Sequence, residues 1–574
     1  MKAAPLRAEW VIPKADRRIV RALATGLGVP GIVAEVLASR GLTAVPDAQD
    51  FLETRHQSFC DPLSLTGMTA ALERIKRAKE KNEHVRVFGD YDVDGMAATA
   101  LMVRGLRRAG LRTVTHAMPN RMTEGYGINC ESVAEAARDS VALLITVDNG
   151  INAFDAADEA RKCGIDLVIT DHHAMDTRLP DACAVVNPHQ DDPAGPAAFL
   201  CGAALAFKLC SALNGVDHDL DLAALATIAD VVPLRRENRL IVARGIERIA
   251  ARAHPGIEAL VRQANLTSRE VRAEHVAFQL APRLNASGRL SDGSAALGLM
   301  LTDSHGEAEK LAAELDRLNK ERRGIEDGIF EEARRRVEEE IPDDRRTIVL
   351  AGRRWHPGVI GIVASRLLGC FGRPVILIAV NADGIGRGSG RSVRQLHMAQ
   401  ALSACQEILV KHGGHRLAAG LTIEEANVAR FAEMFEEEAR RQMPSEAAPK
   451  ELPLDAIVAL SELDSALINT LERLEPFGAE NPAPIFGAFG VSIPRRSAQA
   501  LRGGHLRCVI AHDNHSFPAI GFNLAEHWNS HDMPEFADVA FRPKFNTWRG
   551  ETTIQLQLVG LRAAGSPAGK ASTG

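Results

Sequence analysis

The sequence is poor in aromatic residues and has no excess of basic ones. Only 4% of its 574 residues are Phe, Trp or Tyr, and two of these are tyrosines. The formal net charge is −6, so binding to a nucleic acid cannot be inferred from bulk charge. A nucleic-acid-binding function would have to rest on local basic surfaces, and an aromatic side chain among basic residues is therefore unusually informative.

Other absences narrow the class of protein further. The nine cysteines are scattered without a Cys-x-x-Cys pair, which argues against a zinc ribbon or a disulfide framework and favours a reducing, cytoplasmic location. No stretch approaches the roughly 18 consecutive apolar residues of a membrane span. The N-terminal stretch MKAAPLRAEWVIPKADRR lacks the apolar core of a signal peptide. The 46% hydrophobic content is that of a globular protein, and the length predicts several domains.

Apolar strand patterns alternate with alanine-rich helical patterns from about residue 80 to 190, which predicts a mostly parallel sheet with helices on both faces. A long, charged helical pattern with a narrow apolar stripe follows later and is typical of a connector between domains. Beyond it lie a second α/β pattern and then short strand-like runs that predict a small β-barrel. We expect a lead-in (1–60), an α/β domain (61–304), a connector helix (305–341), a second α/β domain (342–445), a β-barrel (453–562) and a disordered tail (563–574).

The stretch VRVFGDYDVDG places three aspartates, Asp90, Asp92 and Asp94, at alternate positions after a predicted strand. Three carboxylates so close together repel one another unless a cation lies between them. Taken alone, such a triplet is more often a solvated acidic turn than a metal site. Its meaning therefore depends on the rest of the chain.

Acidic and histidine side chains also end two other predicted strands and one helix. ALLITVDNG ends on Asp148, DLVITDHH ends on Asp171, His172 and His173, and ATIADVV carries Asp230. The carboxyl ends of parallel strands line one edge of a sheet, so these side chains are expected to converge with the aspartate triplet. Oxygen and imidazole ligands without thiolate suit Mn²⁺ or Mg²⁺. The number of ligands predicts two divalent cations, an arrangement that serves phosphoryl displacement.

A second group of motifs is rich in glycine and arginine. GRGSGRS (386–392) is predicted to be a loop in which arginines bind phosphate, although a flexible basic turn is the alternative. GGHRLAAG places His415 before a predicted small-residue helix, and a buried structural histidine is at least as common there. Tyr126 lies between glycines rather than in an apolar run. FRPKFNTWRG (541–550) interleaves aromatic and basic residues, which fits either a single-strand-binding surface or a barrel core with a charged face.

DYDVDG, VDNG, DHH and ATIADVVPL resemble, in this order, the motifs of the DHH phosphoesterase family. PNRMTEGYG, APRLNASGRL, WHPGVIGIVASRL, GRGSGRS, GGHRLAAG and LEPFGAENPAPIF extend the resemblance to the RecJ exonuclease branch of that family, over roughly residues 50 to 560. The resemblance implies a parallel-sheet DHH domain, a long connecting helix, a second α/β domain (DHHA1) and a C-terminal OB-like β-barrel. The sequence departs from the family pattern at Glu480, where glycine is usual.

The resemblance also implies a function: a 5′→3′ exonuclease that releases mononucleotides from single-stranded DNA in recombination and repair, dependent on two Mn²⁺ or Mg²⁺ ions. Single-stranded DNA is the expected partner, together with a single-strand-binding protein and a helicase. The implied metal ligands are Asp90, Asp92, Asp94, Asp148 (bridging), His172 and Asp230. The implied substrate contacts are His173 at the reacting phosphate, Arg121, Ser389 and Arg391 at the 5′-phosphate, Tyr126 near the first base, and Arg289 and His415 at backbone or scissile phosphate.

Two alternatives stay open from the sequence. One is a small-substrate DHH phosphoesterase acting on short oligonucleotides or nucleotides, against which the extra β-rich region argues. The other is a non-catalytic single-strand-binding scaffold, against which the complete set of carboxylates argues.

Overall fold

The structure is a computed structural model of the chain. It describes residues 9–12, 15–54, 57–121, 124–267, 271–444, 451–530, 535–548 and 550–565. Most of the predicted disordered tail (566–574), the linker residues 445–450 and Arg549 lie outside the described residues.

The chain divides into two compact units. Unit 1 comprises Met1–Phe59, Pro233–Arg235 and Ala448–Gly574, and unit 2 comprises Cys60–Val232 and Arg236–Ala447. The strands in the described residues are β1 (Glu9–Val11), β2 (Val85–Phe88), β3 (Val114–Ala117), β4 (Leu143–Val147), β5 (Asp166–Thr170), β6 (Ala184–Val186), β7 (Ile348–Gly352), β8 (Val375–Val380), β9 (Ile385–Arg391), β10 (Lys411–Gly414), β11 (Ala418–Glu424), β12 (Glu451–Pro453), β13 (Ala456–Ile457), β14 (Phe486–Ser492), β15 (Gln499–Leu501), β16 (His505–His512), β17 (His515–Gly521), β18 (Phe536–Trp548) and β19 (Glu551–Ala563).

The α-helices in the described residues are α1 (Arg17–Leu27), α2 (Gly31–Ser39), α3 (Val45–Leu52), α4 (Met68–Glu80), α5 (Val93–Arg108), α6 (Cys130–Arg138), α7 (Phe154–Lys162), α8 (Gly202–Asn214), α9 (Leu220–Ala229), α10 (Arg236–Ala250), α11 (Pro255–Gln263), α12 (Ala273–His275), α13 (Ala281–Leu290), α14 (Ser294–Leu301), α15 (His305–Glu340), α16 (Ile360–Phe371), α17 (Met398–Ala404), α18 (Val428–Gln442), α19 (Ser465–Glu472) and α20 (Ala525–Ser530). One π-helical turn, Val276–Leu280, joins α12 to α13.

The first sheet of unit 2 is parallel throughout, in the order β3-β2-β4-β5-β6. Its central strands are buried on both faces, as expected for short apolar runs covered by helices on each side. The chain runs from β2 outward to β3 and then returns to β4 on the other side of β2. This reversal creates a switch point between β2 and β4, where open α/β sheets bind ligands. The predicted parallel α/β domain is confirmed.

The second sheet of unit 2 is mixed, in the order β10-β11-β9-β8-β7, with only β7 and β8 parallel. The predicted connector is the single helix α15, 36 residues long. Towards its C-terminus, Ile329, Phe330 and Ala333 pack into the core formed by β7, β8 and α16. The helix therefore supplies part of the core of the second α/β domain as well as the connection to it.

Unit 1 contains a seven-stranded sheet in the order β13-β14-β18-β19-β17-β16-β15. The additional pairing of β14 with β16, at Ser492 and Ala511, closes a ring of five strands. This closure fits the predicted OB-like fold. The helices α1–α3 pack onto the same core, in which Leu23, Val33 and Leu37 lie with strand residues such as Phe486.

Among the described residues, no single helix is long and apolar enough to cross a membrane; α1 and α2 meet that criterion only as a pair bent by 120°. All nine cysteines are described, and all are free thiols.

Candidate metal centre

The aspartate triplet follows β2 and enters α5 directly. The Asp92 carboxylate accepts a hydrogen bond from Gly95 N (3.1 Å) and caps α5. The Asp94 carboxylate accepts hydrogen bonds from Gly202 N (2.7 Å) and Ala203 N (2.8 Å) at the start of α8. The helix caps therefore hold two of the three carboxylates in fixed orientations, and no solvated turn is formed.

Predicted ligands from three other parts of the chain converge on His172. His172 Nε2 lies 3.1 Å from Asp148 Oδ1 and 3.6 Å from both Asp94 Oδ2 and Asp230 Oδ2. Two overlapping groups of ligand atoms are close enough to hold a cation: Asp94, His172 and Asp230, and Asp148, His172 and His173. The two groups share only His172, and because one imidazole nitrogen binds one cation, a carboxylate of the cluster would have to bridge a pair of cations of the kind used for phosphoryl displacement.

Asp148 lies at the end of β4 in a strained conformation. Its φ of 61° is in the left-handed region, which is uncommon for a residue with a side chain. Gly202 packs so closely that a Cβ placed there would lie 2.4 Å from Asp148 Cβ. Backbone strain of this kind costs on the order of 1–3 kcal/mol and is concentrated at functional sites. In this conformation the Asp148 carboxylate lies beside His172.

Without a cation the carboxylates of this cluster are strongly perturbed. Burial and the charge of Asp94 raise the pKa of Asp230 to about 8. Burial and neighbouring carboxylates also raise the pKa of Asp148 and of Asp90 well above the usual range. Burial lowers the pKa of His172, so that its imidazole is neutral and able to act as a ligand.

Three buried atoms at this cluster make no hydrogen bond within the described residues: Asp90 Oδ1, Asp148 Oδ1 and His172 Nε2. Buried polar atoms without partners are rare and call for an explanation. Carboxylate oxygens and imidazole nitrogen without thiolate form the donor set of Mn²⁺ or Mg²⁺. The residues present therefore fit divalent cations.

Asp171 and Tyr126 orient His173. Asp171 Oδ1 lies 2.7 Å from His173 Nδ1, and the Tyr126 hydroxyl lies 3.0 Å from the same nitrogen and donates to the backbone oxygen of Asp148 (2.9 Å). Although burial acts to lower it, the hydrogen bond and charge of Asp171 raise the pKa of His173 to about 9. His173 is therefore held by its Nδ1 side, which leaves Nε2 for a substrate.

Two neighbouring cavities share three residues. A cavity of about 290 Å³ is lined by the aspartate triplet, Asp230 and Tyr126. A cavity of about 390 Å³ is lined by Ser389, Arg387 and Arg391 of β9 and by Gly358. Tyr91, Arg121 and Arg289 line both cavities. An acidic cavity thus leads directly into a strongly basic one.

The prediction that GRGSGRS forms a loop is wrong, because the motif is strand β9 between β8 and β11. Side chains alternate along a strand, and the motif uses this alternation. A Cβ at Gly386 or Gly388 would lie 2.6–2.7 Å from Ile378 or Leu421, so glycine is needed on the packed face. The intervening residues, Arg387, Ser389 and Arg391, line the basic cavity.

The basic cavity is built for an anion. The Arg391 guanidinium donates to Ser389 Oγ (3.2 Å), and Arg289 donates to Gly358 O (3.2 Å). Burial and the charge of Arg121 lower the pKa of Arg391, and the same causes lower that of Arg289 to about 10. Guanidinium groups that depress one another's pKa in this way gain from a bound phosphate.

The structure does not bring every predicted site residue together. His415 lies in the exposed turn between β10 and β11 and is not among the residues that line either cavity. The small-residue helix predicted after it is wrong, because Ala418–Glu424 is strand β11. The catalytic role of His415 therefore stays a prediction, as do the individual roles of the other site residues.

Two residues at this site, Asp171 and Tyr91, have positions that the motifs alone do not explain. Asp171 stood in the DHH motif, but its function of holding His173 depends on hydrogen bonds that the motif does not display. Tyr91 lies within the aspartate triplet. Because the chain has only two tyrosines, its position there was the one sequence feature that could have pointed to a role.

Three family models match the chain. They are described as DHH family, N-terminal domain (residues 84–232), DHHA1 domain (344–441) and RecJ OB domain (454–560).

Curated relatives match over most of the chain. The single-stranded-DNA-specific exonuclease RecJ of Bacillus subtilis is 35% identical over 552 residues, 96% of this chain and 70% of that protein. The protein of the same name from Escherichia coli is 35% identical over 559 residues, covering 92% of this chain and 95% of its own length.

Solved structures agree with these relatives. RecJ from Thermus thermophilus in complex with Mn²⁺ matches with a TM-score of 0.83 and 31% identity over 98% of this chain and 80% of that chain. The complex of the same protein with Mg²⁺ matches with a TM-score of 0.78 and 30% identity, and covers 98% and 79%.

Proposed function

Because the chain belongs to the RecJ family of single-stranded-DNA-specific exonucleases, we propose that its two joined cavities hold the 5′ end of a DNA strand and hydrolyse it one nucleotide at a time. The chain is a metal-dependent exonuclease that binds single-stranded DNA. The 5′→3′ direction, the mononucleotide product and the residue roles below are the proposed part.

The observation that carries the proposal is the continuity of the acidic and basic cavities through Tyr91, Arg121 and Arg289. A terminal phosphate carries nearly two negative charges and an internal phosphodiester only one. A pocket lined by several arginines beside the acidic cluster therefore favours a strand end over an internal position. Such a pocket supports exonuclease rather than endonuclease action.

The metal ligands proposed are Asp90, Asp92, Asp94, Asp148, His172 and Asp230, with Asp148 as the bridging carboxylate. When bound, two Mn²⁺ or Mg²⁺ ions would neutralise charge at the scissile phosphate and activate the attacking water. The chain's own contribution is to fix these ligands on helix caps and strand ends before substrate arrives.

The substrate contacts proposed follow from the order of the two cavities. Ser389 and Arg391 hold the 5′-phosphate together with Arg121, and Arg289 contacts the backbone; both Arg121 and Arg289 line the two cavities. His173, held through Nδ1 by Asp171, presents Nε2 to the reacting phosphate. Tyr126 lines the acidic cavity, where the first base would stack on it.

The chemistry of the product supports repeated action. Water adds to the scissile phosphorus and the bond to the 3′ oxygen of the first nucleotide breaks, with a proton passing to that oxygen. The released product is a 5′-mononucleotide. The shortened strand carries a new 5′-phosphate, which fits the same basic cavity for the next cycle.

We also propose a cytoplasmic role in recombination and repair, in which a helicase exposes the strand and a single-strand-binding protein delivers it. The support is the family membership together with the nine free thiols.

A time course on single-stranded DNA labelled at either end tests the proposal. With Mn²⁺ or Mg²⁺, a 5′ label is expected to appear at once as mononucleotide, and a 3′ label to shorten progressively; EDTA should stop both. The reverse pattern would refute the direction. Preferential turnover of two- to three-nucleotide substrates over long strands would favour the small-substrate alternative instead.

A further inference from the structure

The covalent order of a DNA strand dictates what must lie where the two cavities join. If the 5′-phosphate occupies the basic cavity and the scissile phosphate the acidic one, as the proposed function requires, the group between them is the sugar of the first nucleotide. Residues that line both cavities therefore flank that sugar. These residues are Tyr91, Arg121 and Arg289.

Tyr91 differs in kind from the other two. The guanidinium groups of Arg121 and Arg289 suit phosphate oxygens, whereas a phenol ring offers an apolar face. The Arg121 guanidinium lies 4.9 Å from the centre of the Tyr91 ring, which fixes the ring against a cation. Tyr91 is only half-buried and so keeps part of its surface open to the cavities.

The backbone around Tyr91 is also closely held. Gly288 of α13 packs against it so tightly that a Cβ there would lie 2.2 Å from Tyr91 O. The residues before and after Tyr91, Asp90 and Asp92, both line the acidic cavity. The backbone segment that carries the ring is therefore held in place at the junction.

We propose that Tyr91 is a specificity-determining residue that packs against the sugar of the first nucleotide and disfavours ribose. The C2′ carbon of deoxyribose is apolar and can lie against an aromatic face. A ribose would press its 2′-hydroxyl against the ring face, which offers no hydrogen-bond partner, and the hydroxyl would lose hydration there at a cost in free energy. The inference rests on the proposed function, and it adds the sugar as a recognised part of the substrate.

Other side chains at the junction do not offer this contact. Tyr126 lines only the acidic cavity, and its hydroxyl is committed to Asp148 O and His173. Val93 is buried and lines only the acidic cavity. Tyr91 is thus the uncharged side chain common to both cavities in the described part of the chain.

The test compares two 5′-phosphorylated strands that differ only in the sugar of the first nucleotide, which is deoxyribose in one and ribose in the other. All other nucleotides are deoxynucleotides. An apolar pocket rejects an added hydroxyl by up to about 100-fold, and because among the described residues at this junction only the Tyr91 ring is apolar, we expect a wild-type rate ratio of about 10-fold. Tyr91→Ala should bring the ratio to about threefold or less, mainly by raising relative activity on ribose, whereas Tyr91→Phe should keep the wild-type ratio.

Tyr126→Ala is the matched control, because it removes the chain's other tyrosine from the acidic cavity. It should slow both substrates equally and leave the ratio unchanged. Binding measured by fluorescence anisotropy in EDTA gives a readout without turnover, and the Tyr91→Ala variant should there lose its preference for the deoxyribose end as well. Circular dichroism establishes that each variant is folded.

The inference is overturned if Tyr91→Ala keeps the wild-type ratio, if Tyr126→Ala changes it as much, or if the wild-type protein does not distinguish the two ends. Failure of the proposed function would look different, because wild-type protein would then not release mononucleotides from the all-DNA strand.

Discussion

Replacing Asp230 by asparagine should stabilise the metal-free protein while removing a metal ligand. In the metal-free fold, burial and the charge of Asp94 raise the pKa of Asp230 to about 8, whereas the unfolded chain has the ordinary value near 4. At pH 7 the folded protein therefore keeps this carboxyl protonated, about 3 pH units above the pKa that it has in the unfolded chain. This protonation lowers the free energy of unfolding by about 4 kcal/mol at most. Asn removes the titration but not the repulsion among the other carboxylates, so we expect a gain of about 2 kcal/mol.

The direction of the pH dependence follows from the raised pKa. The penalty is absent below the unfolded value near pH 4 and grows as the pH rises toward 8. The stability difference between Asp230→Asn and wild type in EDTA should therefore widen over this range.

Mn²⁺ should reverse the order of stability. A ligand that binds only the folded state at 100 times its Kd stabilises it by about 2.7 kcal/mol. Wild-type protein should gain this stabilisation from Mn²⁺, and the variant, which lacks one ligand, should gain less.

Thermal unfolding followed by fluorescence, in EDTA and in Mn²⁺ and from pH 5 to 8, measures both effects. Asp217→Asn is the matched control, since Asp217 is an exposed aspartate in the loop before α9, and its effect should stay within about 0.5 kcal/mol. A lower melting temperature for Asp230→Asn in EDTA, or equal Mn²⁺ stabilisation of variant and wild type, would refute the reasoning.

Two further predictions concern the nuclease itself. Asp148→Ala should lower hydrolysis of single-stranded DNA by about 1,000-fold or more while binding in EDTA stays within about threefold, because the carboxylate serves the reacting phosphate and not strand affinity. Turnover in Mn²⁺ within about 10-fold of wild type would argue against the bridging role. Arg391→Ala should reduce the preference for a 5′-phosphorylated over a 5′-hydroxyl end by about 10-fold or more, the value of one charge-assisted hydrogen bond. Arg394→Ala, an exposed arginine of the same segment, is its control, and an unchanged preference in Arg391→Ala would remove Arg391 from the phosphate pocket.

The parallel sheet and the convergence of its ligands could be predicted because each depends on short-range pattern. Val85–Phe88 and Leu143–Val147 are apolar runs that end on acidic residues, and parallel strands bring their carboxyl ends to one edge. The same logic placed Asp148 beside His172 across 24 residues of sequence, and the 3.1 Å separation of their ligand atoms agrees.

The strand β9 could not be predicted, because its sequence of glycines and arginines is typical of a loop. What makes it a strand is a partner on each side and apolar side chains from β8 and β11 that fill the space left by its glycines. Those partners come from other parts of the chain, so the local pattern does not contain them.

Glu480 shows a similar limit. The family usually has glycine here, and the structure gives the reason, since Glu480 has a φ of 56°. Its side chain forms an ion pair with Arg235 (2.9 Å) within unit 1. The sequence revealed the departure but not the backbone conformation that gives it meaning. The exact domain boundaries likewise stay predictions.

The discontinuous composition of unit 1 has a consequence for biosynthesis. Helices α1–α3 share a core with strands that begin only after residue 448. During translation, about 390 intervening residues must be synthesised before these strands become available. At typical translation speeds of about 5–20 residues per second, that delay is on the order of 20 to 80 seconds. During this time the apolar faces of Leu23, Val33 and Leu37 lack the strands on which they pack, while unit 2 is still being synthesised up to Ala447. The nascent N-terminal helices are therefore expected to be clients of ribosome-associated chaperones, and a ribosome stalled before residue 448 should display them in a protease-sensitive state.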